Sequence, residues 1–113
     1  MNIIGAQGEL RVYKIDALPE NIGEVRPERN ASGAFILSHS EKGHHHVIGG
    51  DVDVIERLSN GMRTLFAIVN EPTSLHQTAA NPHGDIALAP GIYEIRCDVE
   101  YDPFADQIRE VRD

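Results

Sequence analysis

The stretch Tyr93-Glu94-Ile95-Arg96-Cys97-Asp98-Val99-Glu100-Tyr101 decides the fold class. Tyr93, Ile95, Cys97, Val99 and Tyr101 are aromatic or apolar, and every residue between them is charged. A period of two sends the first set to one face and the second to the other, as in a strand with one buried and one wet side. Ala89-Pro90-Gly91, just before it, is turn chemistry. Cys97 falls on the inward side, where a thiol behaves as a small apolar group.

Upstream the same period recurs. Val52 and Val54 alternate with Asp51 and Asp53 and lead to Ile55 and Leu58, and a largely apolar run from Met62 to Val69 follows Asn60-Gly61. Asn-Gly between two such runs predicts a tight hairpin. Leu65-Phe66-Ala67-Ile68-Val69 is apolar on both faces, which suits a central strand. Residues 9–15, 34–39, 44–48, 74–76 and 85–88 read as shorter strands. They are separated by Ser40-Glu41-Lys42-Gly43, by Gly49-Gly50 and by loops over 20–32 and 78–84. Asp102-Pro103 resembles a helix N-cap and first turn, with Phe104, Ile108 and Val111 on one face behind it. The expectation is a mostly β, compact small barrel or sandwich of about seven or eight short strands, with a short C-terminal helix. A single domain over residues 1–113 accommodates it.

Composition narrows the function. Of 113 residues 41% are hydrophobic, enough for one core, and the formal net charge is −8. A binder of nucleic acid or anionic lipid needs a basic face to displace counterions, so both are disfavoured. The acidic residues from Glu94 to Asp113 read as a solvated face, or as a surface for a basic partner. One cysteine rules out an intramolecular disulfide. No apolar run approaches the roughly 18 residues of a membrane span, and MNIIGAQGEL lacks the basic start of a secretory leader. A soluble protein made in a cytoplasm is expected.

All six histidines fall between positions 39 and 83: His39, His44, His45, His46, His76 and His83. On a strand His44 and His46 share a face. With His76 and His83 from the following loop region they form a candidate site for a divalent transition metal, zinc above all. Two other readings stay open: histidines that are merely hydrogen-bonded or solvated, and a pH-sensitive interface that loosens as imidazoles gain charge. No serine lies in a nucleophile elbow, and no glycine loop has phosphate-binding form.

Two resemblances bear on this. His44-x-His46 followed by Asp51, with His76 or His83 later, partly resembles the cupin metal motif. In that motif a glutamate stands in the place of Asp51, and glycines missing here space the pattern. Over nearly the whole chain, Gln7-Gly8-Glu9-Leu10, Ala17-Leu18-Pro19, Gly43-His44-His45-His46-Val47, Leu75-His76, Pro90-Gly91-Ile92-Tyr93, Glu100-Tyr101-Asp102-Pro103 and Glu110-Val111-Arg112-Asp113 resemble phrases in a group of small, largely uncharacterised proteins of bacteria and tailed phages. Those relatives carry a compact His-x-x-His, whereas Gln77 to Pro82 separate His76 from His83 here. The resemblance implies a small β-rich fold and a recurring histidine set. The expected role is a non-enzymatic structural or interaction protein, a head-decoration accessory of a phage virion. Its partners would be capsid protein or further copies of itself. The alternative is a cupin-like metalloprotein.

Overall fold

The computed structural model describes residues 2–38, 45–59, 62–77 and 84–97. They form nine strands: β1 (Asn2–Gln7), β2 (Leu10–Ile15), β3 (Phe35–Ser38), β4 (His46–Ile48), β5 (Val52–Ser59), β6 (Met62–Val69), β7 (Thr73–Gln77), β8 (Ile86–Leu88) and β9 (Gly91–Cys97). One sheet has the order β1-β2-β9-β6-β5 and the other β3-β4-β7-β8. Every pairing is antiparallel. The fold is a sandwich of two sheets and not a closed barrel. No helix occurs among the described residues; the helix expected from Asp102 onward lies outside them, as do Asp98 to Tyr101.

Alternation set most of this. In β9, Tyr93 and Ile95 are buried and Arg96 is exposed. β6 lies between β9 and β5, the central place its two-sided apolar sequence requires. Its inward residues Leu65, Ala67 and Val69 join the core, while Phe66, on the outer face, is also buried. β5 and β6 pair from Val52↔Val69 to Ser59↔Met62. That register leaves Asn60 and Gly61, which are outside the described residues, as the connection. β1 was not anticipated. Gln7 pairs with Leu10 across the two-residue turn Gly8-Glu9, and Gly8 has φ 58°. Positive φ at the first of two turn residues is the glycine-led hairpin turn whose twist matches antiparallel strands.

The core lies between the sheets. Leu10, Val12, Val54, Leu65, Ala67, Tyr93 and Ile95 of the larger sheet meet Phe35, Leu37, Ile48, Leu75, Ile86 and Leu88 of the smaller one. At β1 the side chain that would enter this space is absent. A Cβ on Gly5 would come within 3.2 Å of Ile86, so glycine lets β1 approach β8. On the opposite side the long loop before β3 crosses both sheet margins. Val25 O accepts from Glu56 N of β5 at 2.7 Å, and Glu28 O accepts from Ile36 N of β3 at 2.7 Å.

Candidate functional site

One end of the sandwich gathers polar side chains from several strands. Glu9 sits in the β1–β2 turn, Ser38 ends β3, His46 begins β4 and Cys97 ends β9. Arg63 and Glu56 lie on β6 and β5 at inward register positions, Glu56 opposite Leu65. A bulge brings Ser38 into the group. The β3–β4 register slips between Ile36↔Val47 and Ser38↔His46, so Leu37 and the next residue both become buried.

His46 is the centre, with its side chain 2% exposed. Gln7, fully buried, spans the gap between the sheets. Its Nε2 donates to the carbonyls of Leu75 and Gly84, each at 3.1 Å. The amide can therefore sit only one way round, with Oε1 facing His46 Nδ1 at 2.8 Å. Nδ1 carries a proton and donates it there. His46 Nε2 lies 3.3 Å from Glu9 Oε2, and Ser38 Oγ donates to Glu9 Oε1 at 2.7 Å. Both ring nitrogens thus face acceptors.

The charges follow from these contacts. Burial alone would raise the Glu9 pKa, but the Ser38 hydroxyl, the residue's own backbone amide and His46 together hold it below the ordinary value. Burial pushes the Cys97 thiol up, and the Glu9 charge adds to that, against the opposing pull of Arg63 and Ser38. A protonated thiol is a poor nucleophile and a poor metal ligand. Arg63 is itself committed: its Nε donates to Glu56 Oε1 at 2.5 Å, and another nitrogen donates to the Leu37 carbonyl across the sandwich. Among the described residues no buried side-chain polar atom lacks a partner.

The proposed metal set is only partly open to view. His44 and His83 lie outside the described residues, as does His39. His46 and His76 do not converge. β4 pairs with β7 in the register His46↔Gln77, Val47↔His76, Ile48↔Leu75. Directly opposed residues share a face, so His46 turns inward with Gln77, while His76 turns outward with Val47. The physical reason is Leu75: it fills the core, so its neighbour points away. No group of three or more His, Cys, Asp or Glu side chains placed to hold a metal ion occurs among the described residues.

A second feature lies at the same end, along the larger sheet. An open groove of about 370 Å³ is bordered by Arg57, Met62, Arg63, Phe66 and Arg96. Arg96 pairs with Glu94 and lies over the Tyr13 ring, 4.8 Å from its centroid. Arg63 is already held as described, so two of the groove's three cations are spoken for.

A family model for a domain of unknown function, DUF8820, matches residues 6–98. The chain belongs to this family. The DUF8820 match begins within β1 and ends just beyond β9, so it takes in the sandwich and the whole polar cluster. No curated protein matches the chain, and no solved structure does. Gln7, Glu9, Ser38 and Arg63 were not singled out in sequence as site residues. Of these, Glu9 had a usable signal, since the residue after a turn glycine is placed by the hairpin it closes.

Proposed function

We propose that this DUF8820 protein is a non-enzymatic structural or interaction module. The observation that carries the reading is the engagement of His46 by two side chains of its own chain, Gln7 on Nδ1 and Glu9 on Nε2. An imidazole so held joins the β1–β2 hairpin to β4 and ties one sheet to the other. Its ring is committed to architecture. The nearby Cys97 thiol, close to Glu9, Ser38 and Arg63, has its pKa raised by burial, and Ser38 gives its proton to Glu9. These features support a clasp in preference to a nucleophilic or metal centre.

The setting we propose is the particle of a tailed phage, with the protein as an accessory of the head. It rests on the resemblance of phrases such as Gly43-His44-His45-His46-Val47 and Pro90-Gly91-Ile92-Tyr93 to those of small proteins of bacteria and tailed phages. Quantitative mass spectrometry of purified particles tests it. The protein is expected in fixed ratio to the major capsid protein, and its absence from the particle would remove this setting.

A further inference from the structure

Two sheets have four margins, and the molecule treats them unequally. β5 is covered through Glu56 N and Val25 O, and β3 through Ile36 N and Glu28 O together with the Arg29↔Phe35 bridge. β8 lies beside β1, with Ile86 against Gly5; it too has no outer strand partner among the described residues, but it is only three residues long. β1 pairs with β2 on one side. On its other side, among the described residues, the backbone of Asn2 to Ala6 has no strand partner.

An open margin is a template for another strand, and proteins usually guard it with charge, proline or extreme shortness. β1 has none of these, and its one irregularity is a register shift between Ile3 and Gly5. Its sequence Asn-Ile-Ile-Gly-Ala-Gln is uncharged and contains no proline. Ile3 and Ile4 are 56% and 41% exposed, two of the few large apolar side chains left to solvent.

We propose that β1 pairs antiparallel with β1 of a second copy of this chain, joining two five-stranded sheets into one of ten. The inference rests on the interaction-module reading and names its surface. Charge permits a second copy as the occupant. The hairpin over residues 2–16 carries Glu9 and Asp16 against Arg11 and Lys14, a net charge of zero, so the whole −8 of the chain lies elsewhere. Like-charged copies repel least along this margin. Antiparallel pairing about a two-fold axis sets the same segment against itself, so no separate complementary sequence is needed. The outward backbone groups supply the hydrogen bonds, and the isoleucines supply the apolar contact.

Sedimentation equilibrium of the full chain over a range of concentrations tests this. The wild type is expected to approach twice the 12.5 kDa chain mass, and the double variant Ile3→Lys/Ile4→Lys to remain at one chain mass with its thermal unfolding still cooperative. Hydrogen exchange on the wild type gives a readout that needs no variant: the amides of Asn2 to Ala6 should slow as concentration rises. A wild type that stays at one chain mass overturns the proposal. So does a dimer unchanged in the double variant, or exchange in β1 that ignores concentration. A monomer found in phage particles would remove self-pairing alone, whereas a dimer absent from them would remove only the phage setting.

Discussion

Gln7 fixes the tautomer of His46. The glutamine spends both amide hydrogens on the carbonyls of Leu75 and Gly84, so only its oxygen is left to face Nδ1. A residue that composition would assign to the surface is thereby the fully buried link between β1, β4, β7 and the start of the β8 segment.

Gln7→Ala removes that link. It leaves the Nδ1 proton of His46 and the two carbonyls without this partner in a buried site, a loss of about 3 kcal/mol. Urea unfolding should show the midpoint falling with an unchanged slope. An unaltered midpoint would mean the clasp contributes nothing.

The Glu9 carboxyl supplies a pH dependence of known sign. Its pKa in the folded chain lies below the ordinary 4.5. The resulting stabilisation is therefore complete above about 4.5 and is lost as pH falls through the folded-state value. Thermal unfolding between pH 7 and pH 3 should show a decline confined to the acid end. In Glu9→Gln that part of the decline should shrink, because glutamine cannot titrate.

Cys97 should react slowly. Burial holds its pKa above the ordinary thiol value, so the thiolate fraction at pH 7.5 is small and access is partial. Iodoacetamide labelling of the folded chain is expected to lag well behind labelling in denaturant. Equal rates would contradict the environment described for this thiol.

The outward turn of His76 separates it from His46 in any metal titration. Added Zn²⁺ should shift the melting temperature of wild type and His76→Ala alike, whatever the size of the shift. A shift lost in both His46→Ala and His76→Ala would require the two rings on one ion, against the β4–β7 register.

What was legible in the sequence was what alternates. The β5–β6 pair and β9 announce themselves because each buries one regular face, and β6 declares its central place by being apolar on both. β1 stayed hidden because its pattern is nearly all exposed and its inward places are held by Gly5 and Gln7. His46 was singled out in sequence as a metal ligand, and it lies at the centre of the polar cluster. Its partners were not, since they lie 37 and 39 positions away and meet it only after the sheets stack. His76 was grouped with it as a later histidine bracketing a loop, although Leu75 beside it implied the opposite face.

Proteolysis near the exposed Val25 would sever no strand. It would nevertheless free the Val25 carbonyl from Glu56 and slacken the hold of Glu28 on Ile36. The nicked molecule would keep its interior and lose its hem. Clumping, visible as light scattering, should then set in well below the temperature at which the interior melts.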